Sequence, residues 1–148
     1  MSLIELVVAI VVVSICLTGA FALVDATVRR SVDPMLERQS TSIAEAYLEE
    51  ILQQAYFDPD DGTPCPAPEA ERSLFDNVCD YDGLSEAGAR DQTGAAVSGL
   101  DGYRVSVSVD RASRLGDLAG DEFVLRIDVT VMDPLGRPVL FSAYRTKA

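Results

Sequence analysis

The chain opens on an unbroken apolar run. From Leu6 to Val24 the sequence LVVAIVVVSICLTGAFALV carries no charged residue, and only Ser14, Thr18 and Gly19 interrupt it. A helix of that length rises about 28 Å, close to the roughly 30 Å of a bilayer's hydrocarbon core. An all-round apolar helix needs lipid or a deep interior, and a chain of 148 residues has no interior that covers such a helix on every side. Ala20-Phe21-Ala22 has the small-x-small form of a signal cleavage site. The preceding residues MSLIE, however, contain Glu5 and no Lys or Arg, the opposite of a basic signal-peptide start. The pattern predicts a membrane-compatible helix over 1–24.

After Asp25 the apolar residues become periodic. Val28, Val32, Met35, Leu36, Ile43, Tyr47, Leu48, Ile51, Leu52 and Ala55 recur at steps of mainly three and four, which predicts an amphipathic helix to about Tyr56. Asp25 with Arg29 and Arg30 with Asp33 are oppositely charged at helical spacing and would each add about 0.2–0.5 kcal/mol. Pro34 is expected to kink or interrupt the helix, because its ring clashes with the preceding turn and removes a donor. From 57 to 101 prolines and glycines dominate, including Pro59, Pro64, Pro66 and Pro68, so the segment reads as a loop-rich connection.

From Gly102 the period changes to two. Tyr103, Val105, Val107 and Val109 share one face of a first strand, and Phe123, Leu125, Ile127, Val129 and Val131 one face of a second. Asp133-Pro134-Leu135-Gly136 supplies a turn with proline at its second place, and Val139 to Thr146 a third strand. Three successive strands predict an antiparallel meander, whose apolar face the helix stripe would cover. The expected fold class is α+β, with the helix over 1–56 (1–24 apolar, 25–56 amphipathic), the connection over 57–101 and the sheet over 102–148.

Charge and composition narrow the chemistry. With 24 Asp and Glu against 12 Lys and Arg, the net charge of -12 repels phosphates, so direct nucleic-acid binding is not expected. Having no histidine, the chain lacks the usual general base and the commonest metal ligand. With no glycine-rich phosphate loop and no metal-ligand spacing either, no catalytic residue, cofactor or metal is assigned. Asp58, Asp60 and Asp61 superficially resemble the start of a calcium loop but lack its spacing and terminal Glu, and read as a solvated acidic turn. Outside the cytoplasm Cys65 and Cys79 are expected to form a disulfide, closing a loop of about 15 residues worth roughly 3 kcal/mol. Cys16 in the apolar run is the odd thiol.

Glu5 stands at the edge of the apolar run, where a carboxylate costs about 2.5–3.5 kcal/mol on insertion scales and calls for a partner. The nearest positive charge is the α-amino group of Met1, of the same or a neighbouring copy. Arg29 and Arg30 would favour keeping that end of the run in the cytoplasm unless a basic segment ahead of Met1 overrides them. Met1-Ser2-Leu3-Ile4-Glu5-Leu6 followed by VVAIVVV resembles the mature N-terminus of type IV pilins and type II secretion pseudopilins, with Met1 where the family usually has Phe. With GYRVSVSV, RIDVTVMDPLGRPV and FSAYRT at its end, the chain looks most like the minor-pilin branch associated with mannose-sensitive haemagglutinin pili.

The resemblance implies the pilin fold, N-terminal methylation at Met1, and a subunit contact between Glu5 and a neighbour's terminal amine. It also implies a prepilin peptidase, a pilus assembly platform, residence in a bacterial inner membrane before assembly, and other copies or related pilins as partners. The expected function is that of a structural subunit of an extracellular pilus-like filament, the alternative being a minor pilin or a pseudopilin of a short periplasmic pseudopilus. A membrane-anchored enzyme is not expected. In a filament the acidic segment from Asp58 to Asp82 would lie on the outer surface.

Overall fold

The computed structural model describes residues 2–60, 62–119 and 124–147, with the side chains of 25–33 excepted. A single long helix, α1, spans Leu3–Gln53. Two short 3-10 turns follow at Arg72–Leu74 and Val78–Tyr81. Then come β1 (Ser85–Ala87), β2 (Arg104–Asp110), β3 (Arg114–Leu115), β4 (Leu118–Ala119), β5 (Val124–Met132) and β6 (Pro138–Thr146). The fold is α+β, as its periodicities predict. The chain divides into two compact units, Met1–Leu36 and Glu37–Ala148.

In the first unit none of the side chains of Leu3–Val24 is buried. Its many β-branched Val and Ile residues are only moderate helix formers, and Leu3–Val24 is long and apolar enough to cross a membrane, with a mean hydropathy of 2.8. The helix runs on through Pro34 instead of being interrupted there. The charge pairs expected at Asp25–Arg29 and Arg30–Asp33, and the stripe positions Val28 and Val32, fall outside the described side chains.

In the second unit a period of three and four selects the buried face of α1: Ser40, Ile43, Ala44, Tyr47, Leu48 and Ile51 are all buried. Met35, expected on that stripe, is 59% exposed. The helix stops at Gln53, short of the expected Tyr56, because the backbone of Ala55 is taken by another partner. Its N–H donates to the Asp76 carbonyl at 3.2 Å and its own carbonyl accepts from Val78 N–H at 3.0 Å.

The main sheet is antiparallel with strand order β1-β2-β5-β6. Register brings Val105 opposite Val131, Val107 opposite Val129 and Val109 opposite Ile127, and all six are buried. On the far side of β5, Val139, Phe141 and Ala143 lie opposite Val131, Val129 and Ile127. The alternation expected from the sequence thus places one continuous apolar face across three strands, and the buried stripe of α1 completes the core. Phe123, expected to open β5's apolar face, lies outside the described residues. The β5–β6 turn forms at Asp133–Gly136, where Gly136 N–H donates to the Asp133 carbonyl at 2.9 Å and Gly136 takes φ 77°, a conformation only glycine adopts freely. Two elements were not expected: β1, which extends the sheet beyond β2, and the β3–β4 hairpin between β2 and β5.

The register generates a paired expectation for full-length protein in detergent micelles. Ile127→Ala should cost about 2–5 kcal/mol in a denaturant melt, as large-to-small core changes do. Leu140→Ala, at a position 61% exposed on the opposite face, should stay within about 0.5 kcal/mol. The reverse ranking would mean that the strands pair one residue out of step.

Candidate functional site

Two places gather chemistry. The first is the start of α1. The segment Leu3–Val24 is exposed throughout, its large side chains ranging from 50% for Val7 to 83% for Leu3. Its polar side chains are satisfied within the helix itself. Ser14 Oγ donates to the Ile10 carbonyl and Thr18 Oγ1 to the Ser14 carbonyl, both at 2.8 Å. Closed this way, the two hydroxyls no longer demand water, and the surface they leave is suited to an apolar surrounding.

Glu5 closes the helix at its first turn. Its Oε2 accepts from Ser2 N–H and its own N–H donates to Ser2 Oγ, each at a long 3.4 Å. That reciprocal pair is a capping box, and a carboxylate there also meets the positive end of the helix dipole. The sequence signature of that box is Ser2-x-x-Glu5. Met1, assigned a terminal amine and methylation, lies outside the described residues.

The second place is a buried polar cluster that no motif announced. Arg72, in the Pro-rich segment, reaches into the core between two carboxylates. Its Nη2 meets Glu50 Oε1 on α1 at 2.9 Å, and its Nη1 meets Glu86 Oε1 on β1 at 3.0 Å; all three side chains are less than a tenth exposed. The guanidinium lies over the rings of Tyr47 and Tyr81, at 4.9 and 5.7 Å from their centroids. Each tyrosine hydroxyl donates to one of the same carboxylates, Tyr47 to Glu86 at 2.5 Å and Tyr81 to Glu50 at 2.8 Å, while Arg90 N–H donates to the Tyr47 oxygen at 2.9 Å. Two negative charges and one positive are thereby held with hydroxyl donors making up the deficit. Burial works against the arginine's charge, but Glu50 and Glu86 outweigh it and raise its pKa. Burial, and then the hydrogen bond to a carboxylate, pushes both tyrosines far above their usual 10.0.

The segment around Arg72 is itself pinned. Cys65 and Cys79 are disulfide-bonded with their Cα atoms 5.1 Å apart, and both are buried. Asn77 and Asp80 cap the turn that carries Cys79: Asn77 Oδ1 accepts from Cys79 N–H at 2.9 Å, and Asp80 Oδ2 accepts from the N–H groups of Asp76 and Asn77. Arg111, just after β2, donates to the Cys65 carbonyl at 3.0 Å. The acidic segment from Asp58 to Asp82 is therefore not uniformly outward-facing in the folded unit. Asp60, Glu69 and Glu71 are exposed, whereas Asp80 is 1% exposed because its carboxylate organises backbone.

Elsewhere several acidic side chains organise turns. Asp58 Oδ1 accepts from Asp60 N–H at 2.7 Å, a turn contact, and among the described residues no group of three His, Cys, Asp or Glu is arranged for a metal ion. Asp61, the third member of that turn, is outside the described residues. A cleft of about 200 Å³ is lined by Glu37, Ser40, Asp133, Arg137, Pro138 and Val139. Its Asp133 carboxylate is engaged by the N–H groups of Leu135 and Arg137 and by Arg137 Nε. Cys16 is an exposed free thiol. No family model, curated protein or solved structure matches the chain.

The tyrosines give the second unit a defined response to alkali. Their folded pKa values lie above the unfolded ones, so the stability they contribute is present below pH 10 and is lost as pH rises, when only the unfolded chain ionises. Denaturant melts should show stability falling above pH 10, and falling less steeply in Tyr47→Phe. At pH 7 that variant should be weaker than wild type by about 1–3 kcal/mol, since Glu86 and Arg90 N–H lose a buried partner. An unchanged alkaline slope would show that Tyr47 is not held neutral in the core.

Proposed function

We propose that this chain is a structural subunit of an extracellular type IV pilus-like filament, assembled through its N-terminal helix. The observation that carries the reading is the exposed helix Leu3–Val24, apolar on every side, with Glu5 as its one acidic residue. A bilayer satisfies such a helix in a single copy, and a bundle of the same helices satisfies it in a polymer. The resemblance of MSLIEL and the following valines to pilin N-termini supports the second state following the first. The compact α+β unit and its disulfide support life outside the cytoplasm.

In this reading the chain resides in the inner membrane until an assembly platform extracts it, and a prepilin peptidase exposes and methylates Met1. The amine of Met1 in an arriving copy meets Glu5 of its neighbour. The capping box gives Glu5 its place before that encounter: the first turn of α1 already holds the carboxylate at the helix end. Outward-facing acids such as Asp60 and Glu69 carry much of the negative charge, and salt screens them over about 8–10 Å between subunits.

Two substitutions separate a helix cap from an assembly contact. Glu5→Gln keeps an acceptor able to complete the capping box but has no charge, whereas Glu5→Ala loses both. In electron micrographs of fibres sheared from cells, both variants should abolish thin fibres that wild-type cells produce from this chain. Fibres persisting with Glu5→Gln would show that Glu5 only caps the helix. A wild-type shear fraction without this chain would contradict the filament reading and favour the periplasmic pseudopilus.

A further inference from the structure

The segment between Cys65 and Cys79 is a loop closed by a disulfide, and Arg72 stands midway along it. Near the Cys79 end Asn77 and Val78 are buried and paired with Ala55, and at the middle of the loop Arg72 reaches in between Glu50 of α1 and Glu86 of β1. Both ends of the loop are organised for the bond. Cys65 takes φ 49°, a left-handed conformation that residues with a Cβ adopt reluctantly, while its carbonyl is held by Arg111. Cys79 is set by the Asn77–Asp80 capping box and is fully buried. Without the cross-link, the stretch from Cys65 to Phe75 would have to be ordered to dock one arginine, and an undocked arginine would leave two carboxylates to seek water.

We infer that the Cys65–Cys79 bond and the Arg72 ion pairs form one oxidation-dependent clasp, which holds the connecting segment closed on α1 and β1 only when the two cysteines are joined. Closure follows thiol–disulfide exchange with an external disulfide: a thiolate of Cys65 or Cys79 attacks it, the second cysteine resolves the mixed disulfide, and two electrons pass to the reagent, which leaves as two thiols. Reduction runs the same exchange backwards, opening the loop and hydrating Glu50 and Glu86. The coupling is reciprocal: the bond favours docking of Arg72, and docking of Arg72 favours the closed loop, in which both cysteines are buried. This clasp does not depend on the filament reading.

The test compares reduction rates by dithiothreitol, followed by alkylation and mass spectrometry, in full-length chain in detergent micelles carrying Cys16→Ser. Arg72→Met keeps an apolar stem but not the charge, and should be reduced about tenfold faster or more, because loss of one member of a buried ion pair makes local opening of the loop easier. Arg90→Met, at an exposed side chain that donates to the nearby Gly94 carbonyl, should change the rate less than twofold. Equal rates for Arg72→Met and wild type would overturn the clasp. Should Arg72→Met also unprotect β2 and β5 amides to hydrogen exchange, the reduced wild-type chain decides. Faster exchange confined to 57–101 supports the inference, and exchange that is unchanged there or spread through the sheet overturns it.

Discussion

An all-round apolar helix cannot remain in water, and that constraint orders everything else in this chain. Each large aliphatic side chain moved from water to an apolar surrounding is worth roughly 1.5–3 kcal/mol. Over Leu3–Val24, where every large side chain is exposed, the total runs to tens of kcal/mol, more than the net stability of a typical folded domain. Whatever buries this helix therefore dictates where the protein lives and what it joins. The details of the segment are consistent with that demand: the hydroxyls of Ser14 and Thr18 turn back onto the helix, and the one carboxylate is at the end, capping it.

The second unit meets its own demands separately. Its acid-rich connection must be held to a core lined mainly by apolar side chains, and one arginine contributes to this by pairing with Glu50 and Glu86 while each tyrosine hydroxyl donates to one of those carboxylates. Buried ion pairs rarely exceed well-packed apolar side chains in stability, yet removing one member is costly. Such a cluster is suited to selecting one conformation of a segment whose composition favours many. The disulfide acts on the same segment from the other side of the balance, by restricting its open states.

What could be read in advance follows the range of each signal. The apolar run, the stripe at Ile43, Tyr47 and Ile51, the alternation through Val105–Val109 and Leu125–Val131 and the Asp133-Pro134-Leu135-Gly136 turn are local patterns, and the structure forms an element at each. The clasp was illegible because its partners lie 22 and 14 residues from Arg72, and an arginine in a Pro-rich acidic stretch reads as a solvated charge. β1 is three residues long, too short for a period to register. The end of α1 was misplaced because Ala55 is recruited by Asn77, a contact no helical periodicity contains. Glu5 is the instructive case: its local signature was present, but attention to its charge hid its role as a cap.

In the proposed filament, Leu3–Val24 exchanges lipid for copies of itself. Cys16, the exposed thiol within that segment, offers a native probe while Cys65 and Cys79 are bonded to each other. A nitroxide on Cys16 should be magnetically isolated and accessible to oxygen in inner membranes. In sheared surface fibres it should be broadened by nitroxides on neighbouring copies and shielded from polar relaxing agents. A label that stays isolated in every fraction, or never leaves the membrane, would contradict the account.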